Sequence, residues 1–231
     1  MKLLSIGNTK TMKGEVKGFL TGVLHLAPAN LSGVNLCPFS TAECLAVCLN
    51  MSGRGRLPRQ QEARIIKSIH WHNNKEGFID QLIDDIKALE RKAKRMGLLP
   101  AVRLNGTSDI MWEFWAKRVF DTFPHITFYD YTKIPLFHRR TRPENYHLTF
   151  SHTGLNRSEC EYALNYCGTN VAVVFDVKSP ELFPKTFMGF PVIDGVSSDL
   201  RFLDAQSSIV GLIPIGKAKN AKSNSNFVVR C

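Results

Sequence analysis

Apolar positions along the chain fall into two recurring patterns, and their alternation predicts an α/β fold. Short runs, mostly rich in β-branched or aromatic residues, occur at Gly22–Leu26, Ala101–Leu104, Ile126–Tyr129, Tyr146–Phe150, Val171–Phe175, Pro191–Ile193 and Ile209–Ile213, each the length of a strand. The first stops at Ala27-Pro28, where proline ends the ladder. Between the first two runs, Ile79, Leu82, Ile83, Ile86 and Leu89 recur at the spacing of one helix face, with Asp84, Asp85, Lys87 and Arg91 opposite and Gly97 as the stop. Two more helices are predicted over 110–120 and 158–166, the latter with Ser158 as N-cap.

Strands that alternate with helices build a parallel sheet, because parallel neighbours need a connection long enough to return over it. Seven strands fit a partial or complete parallel β/α barrel of the TIM type. An open doubly wound sheet is the alternative, but the glycine-rich turn expected after its first strand is missing. No repeat or linker divides the chain, so one domain is expected over 1–216, followed by a polar, flexible tail over 217–231.

Composition changes this picture in two ways. With 231 residues, 44% of them hydrophobic, the chain can bury a core without disulfides, so its six cysteines need another role. Neither a signal-peptide core nor a bilayer-length apolar stretch is present, which places the protein in a reducing cytoplasm. Thirty Lys and Arg against twenty Asp and Glu give a net charge of +10, which favours nucleic acid, phosphate or acidic partners. Much of that excess lies at 87–95 and 217–222, where a solvated helix face and a frayed terminus account for it equally.

The segment Cys37-Pro38-Phe39-Ser40-Thr41-Ala42-Glu43-Cys44-Leu45-Ala46-Val47-Cys48 carries the clearest chemistry. Ser40 followed by Glu43 reads as a capping box, which would start a helix with Cys44 and Cys48 on one face and Cys37 opposite them in the loop. The N-terminal dipole of such a helix favours thiolates. Three thiolates suit a soft metal centre; in a [4Fe-4S] cluster they would leave one iron open to a substrate. Zinc with a fourth ligand is the alternative, and buried thiols on an amphipathic helix are the metal-free one. Cys160 and Cys167 fit a helix core face, and Cys231 ends the tail.

In a parallel sheet, residues at the carboxyl ends of the strands converge on one rim. Here these are Asn105, Ser108 and Asp109, then Asp130, Tyr131 and Lys133, then Ser151 and His152, then Asp176, then Asp194 and Gly195, with His25, Arg103 and Tyr129 inside strands. Asn105, Asp109, Tyr129, Lys133 and Ser151 are the candidate catalytic residues, Lys133 and Asp109 for proton transfer. Arg54, Arg56 and Arg59 fall in a glycine-containing stretch read as a flexible loop able to meet phosphate.

Leu26-Ala27-Pro28, the cysteine segment, Arg103-Leu104-Asn105-Gly106-Thr107-Ser108-Asp109, Phe128-Tyr129-Asp130-Tyr131-Thr132-Lys133 and Val192-Ile193-Asp194-Gly195 together resemble the bacteriophage gene eighty-eight protein family. That resemblance implies a phage origin and no particular chemistry. A looser likeness joins the chain to radical S-adenosylmethionine enzymes, which pair a partial barrel with a three-cysteine loop. Their cysteines are separated by three and then two residues, whereas six and then three separate Cys37, Cys44 and Cys48. The leading expectation is an iron-sulfur enzyme with a small-molecule substrate, either radical S-adenosylmethionine-like or a non-redox lyase. A nucleic-acid-binding phage protein with a structural metal is the second, and an interaction protein without turnover the third.

Overall fold

The computed structural model describes residues 1–7, 9–220 and 227–230. In chain order the elements are β1 (Leu4–Ser5), α1 (Thr9–Glu15), β2 (Phe19–Leu24), α2 (Ala42–Ala46), α3 (Pro58–Asn73), α4 (Lys75–Arg95), β3 (Leu99–Arg103), α5 (Trp112–Trp115), α6 (Lys117–Thr122), β4 (Thr127–Thr132), β5 (Tyr146–Ser151), α7 (Arg157–Tyr166), β6 (Val171–Phe175), β7 (Thr186–Phe187), β8 (Phe190–Asp194), β9 (Ile209–Leu212) and β10 (Val228–Val229). The strands lie in the order β1-β2-β3-β4-β5-β6-β9-β8-β7, and β10 pairs with β6.

Every pairing from β2 to β8 is parallel, while β1 and β7 add antiparallel edges. The fold is therefore α/β with a mostly parallel sheet, but β1 and β7 stay apart as its two edges. Among the described residues no closed barrel forms. Two features of the ends were not in the strand pattern: the two-residue β1 pairs with β2, and Val228–Val229, within the expected tail, adds beside β6. Cys231 lies outside the described residues.

Side chains alternate across the sheet, so its two faces have different cores. On one face Leu20, Val102 and Phe128 pack under α4 through Phe78, Leu82 and Ile86, all fully or almost fully buried. Burying each such side chain stabilises the fold by roughly 1.5–3 kcal/mol. Farther along, Val171, Val173 and Phe175 meet Cys160, Ala163 and Leu164 of α7, with Cys167 packed at the margin. Cys160 is thus a core residue, and Cys167 packs against that core. On the opposite face Phe19, Ala101 and Tyr129 are covered by Leu200 and Phe202 of a 3-10 turn at Arg201–Leu203.

The long helix matches its periodicity and ends at Gly97, whose φ of 67° is the left-handed stop. Asp85 departs from the solvent face assigned to it, because its Oδ2 accepts from the Leu3 and Leu4 amides at 2.6 and 3.0 Å. The helix expected over 110–120 breaks at Ala116 into α5 and α6. Asn156, not Ser158, occupies the N-cap position of α7. The arginine stretch is ordered rather than a loop: Gly53–Arg56 is a 3-10 turn and Arg59 lies in the first turn of α3.

Candidate functional site

The cysteine segment lies between β2 and α3. Its helix is shorter than expected: α2 holds five residues, so only Cys44 is helical, while Cys48 precedes a 3-10 turn at Leu49–Met51. The cap also shifts by one residue, since the Thr41 hydroxyl accepts from the Cys44 amide at 3.2 Å. Ser40 Oγ instead donates to the Cys37 carbonyl at 2.8 Å. The segment is anchored at both ends. Cys37 Sγ points to the Thr107 carbonyl at 3.8 Å, and buried Asn50 donates to Gln61 Oε1 at 2.7 Å while accepting from Arg64, both on α3.

Cys37, Cys44 and Cys48 are all free and partly exposed. Burial pushes the Cys37 thiol up to about 11, with Asp109 and Cys48 adding to the rise and Lys133 opposing it. Burial raises the Cys48 thiol too, and Cys44 adds to that. Burial thus opposes the thiolate form of Cys37 and Cys48 that the helix dipole was expected to favour. Among the described residues, no group of three or more His, Cys, Asp or Glu side chains stands ready to hold a metal ion.

Lys133, just beyond β4, meets these thiols. Burial works against its charge, but Cys44, Asp109 and Cys37 outweigh that and raise its pKa, Cys44 also as a hydrogen-bond partner. Asp109 is fixed from two sides, accepting from Thr132 Oγ1 at 2.8 Å and from the Lys133 amide at 2.7 Å. Burial raises its pKa. Cys37, Cys44, Cys48, Asp109 and Lys133 therefore form one electrostatically coupled group at the carboxyl ends of β2, β3 and β4.

The other candidates divide. Asn105 is a scaffold residue: its Oδ1 accepts from Ser108, Ile110 and Trp112, and its Nδ2 donates to the Ile110 carbonyl. This engages both polar atoms of the side chain and shapes the turn that presents Asp109. Ser151 ends β5, and its carbonyl accepts from Asn156 Nδ2 at 2.9 Å; among the described residues no hydrogen bond links it to the cysteine segment. Asp130 also faces inward, accepting from the Leu104 and Asn105 amides and from Tyr146 Oη.

Tyr129 lies on the face covered by the Arg201 turn, in a polar group around Arg103. Arg103 Nη1 donates to Asp199 Oδ2 at 2.7 Å, and its guanidinium stands over the rings of Tyr129 and Tyr131 at 5.8 and 5.1 Å. Burial raises both phenols, that of Tyr131 to about 12. His25 is driven down to about 3 by burial and by Arg64, Arg103 and Lys67, so it stays neutral. Arg103 Nε, Tyr131 Oη and His25 Nδ1 are buried polar atoms without a hydrogen bond among the described residues. Such atoms mark a place for a polar guest.

Sequence reasoning singled out neither Asp199 nor the pair that buttresses the turn, Arg139 with Glu113. Arg139 Nε and Nη2 each donate to that carboxylate at 2.6 Å, and the arginine side chain is fully buried. Only the bidentate geometry reveals the pair.

A mostly parallel open α/β sheet, with a thiol-bearing loop and a lysine-carboxylate pair where its strands end, defines a site-bearing α/β protein. The family model described as gene product 88 matches residues 1–231, and the chain belongs to that family. The resemblance in its motifs is thereby accounted for. Comparison with curated proteins and with solved structures finds no match, and the likeness to radical S-adenosylmethionine enzymes has no counterpart there. Among the described residues no helix is long and apolar enough to cross a membrane.

Proposed function

We propose that this gene product 88 protein binds a [4Fe-4S] cluster through Cys37, Cys44 and Cys48 and acts on a small substrate at the iron these thiols leave open. What supports the reading is the placing of three free thiols in one segment between β2 and α3, with Lys133 acting on each of them and Asp109 held beside Lys133 and Cys37 at the strand ends. Loading would expel the thiol protons and draw the segment in, as metal binding commonly does. The cluster would supply a Lewis acid or an electron at its open iron.

Around that position the chain's own groups have distinct tasks. Lys133 offsets thiolate charge and holds a proton near the open position. Asp109, whose carboxyl burial pushes up from the usual aspartate range, takes up or returns a proton beside Lys133. Arg103 and Tyr131 offer donors to a polar substrate from the adjoining face. This fits an iron-sulfur enzyme, whether radical S-adenosylmethionine-like or a non-redox lyase, working in the reducing host cytoplasm.

The test is absorption and electron paramagnetic resonance of anaerobically reconstituted protein. Cys37→Ala, Cys44→Ala and Cys48→Ala should each abolish the cluster signal, and Cys231→Ala should retain it. Retention of the full signal in any of the first three, with loss in the fourth, overturns the ligand assignment.

A further inference from the structure

A second feature lies outside the cysteine site. Between β1 and the carboxyl-terminal half of α4 runs a groove of about 660 Å³. Lys2, Arg91, Lys92, Lys94 and Arg95 line it, over an aliphatic floor that includes Leu4 and Leu89. Asp85, the one carboxylate that lines it among the described residues, is occupied by the Leu3 and Leu4 amides. The other acids of α4 are engaged elsewhere: Glu76 and Asp80 with Arg118, Asp84 with Lys87, and Glu90 with His125. The helix thus spends its negative charge away from the groove and leaves five cations along it.

We infer that this groove seats the sugar-phosphate backbone of double-stranded DNA. The run from Arg91 to Arg95 with Lys2 across from it offers a compact row of charges, and a duplex presents one phosphate per roughly 1.7 Å of its axis. Among the described residues no aromatic side chain lines the groove, so the stacking that single-strand binders use is missing there. The floor is recessed, Leu4 and Leu89 being 6% and 2% exposed, so it offers no wedge to a lipid surface. Binding through phosphates alone is independent of sequence and strongly salt-dependent.

The probe is a fluorescein-labelled duplex of arbitrary sequence, titrated with the full chain across a salt series. Five phosphate contacts give a slope of about −4.5 in log affinity against log salt, or roughly 500-fold weaker binding from about 50 to about 200 mM. The double variant Arg91→Ala/Arg95→Ala should bind more weakly, with a slope near about −2.7 and a loss of only about 40-fold over that range. Lys87→Ala removes a charge from the same helix outside the groove and should leave the slope unchanged. Three results would each overturn the inference: no duplex binding at the lower salt, an equal slope change in Lys87→Ala, or tighter binding to a single strand or to anionic vesicles than to the duplex.

Discussion

Asp130 offers a quantitative test of how the turn after β3 is held. Its carboxylate accepts from the Leu104 amide at 3.2 Å, the Asn105 amide at 2.8 Å and Tyr146 Oη at 2.8 Å. Burial nevertheless pushes its pKa up to about 7, with Arg103 and the hydrogen bonds opposing. An unfolded aspartate titrates near about 3.9, so between these values the folded state binds the extra proton and stability falls as pH rises. From about pH 4.5 to about pH 8 the loss comes to about 3 kcal/mol. Asp130→Asn removes this titration. Its carbonyl can still accept from Asn105 and its amide can donate to Tyr146, but the Leu104 amide loses its acceptor, at about 1–3 kcal/mol. Urea unfolding should therefore show wild type ahead at the lower pH and its advantage shrinking by about 3 kcal/mol, to parity or reversal, at the higher. A difference that stays flat, or grows with pH, would refute the reasoning.

Other outcomes follow from the same geometry. Trp112 is fully buried against Trp71 and Phe78 and donates to Asn105 at 3.0 Å, so Trp112→Ala should cost about 3–5 kcal/mol in denaturant unfolding. Gly106→Ala would bring a Cβ to 2.6 Å from His25 Nδ1 and 2.7 Å from the Leu24 carbonyl; the clash with backbone should lower thermal stability by about 1–3 kcal/mol. Lys133→Met removes the cation that holds the Cys37 pKa down, so iodoacetamide labelling of Cys37 in metal-free protein, followed by mass spectrometry, should slow severalfold. Unchanged labelling would separate Lys133 from the thiols.

The alternating pattern made the parallel sheet legible because its central strands are short runs of β-branched and aromatic residues, β6 most of all, and α4 has a continuous apolar stripe. Closure was not legible, since nothing in strand composition says whether the end strands meet. The helix α3 carried little signal because its buried positions are Arg64, Ser68 and Trp71, two of them polar. At the site, the sequence placed Asp109 and Lys133 at neighbouring strand ends, and they lie with the thiols. The role of Asn105 was invisible, because one asparagine at a strand end can face a ligand or its own turn. Shortening of the cysteine helix was equally hidden, as Thr41 and Ser40 are both competent caps.

Chemical quantification of iron, acid-labile sulfide and zinc in protein purified without oxygen tests the cluster most directly. A [4Fe-4S] centre requires about four irons and about four sulfides per chain, with zinc at trace level. Stoichiometric zinc, or a fully folded chain that takes up no iron and sulfide on reconstitution, would contradict it.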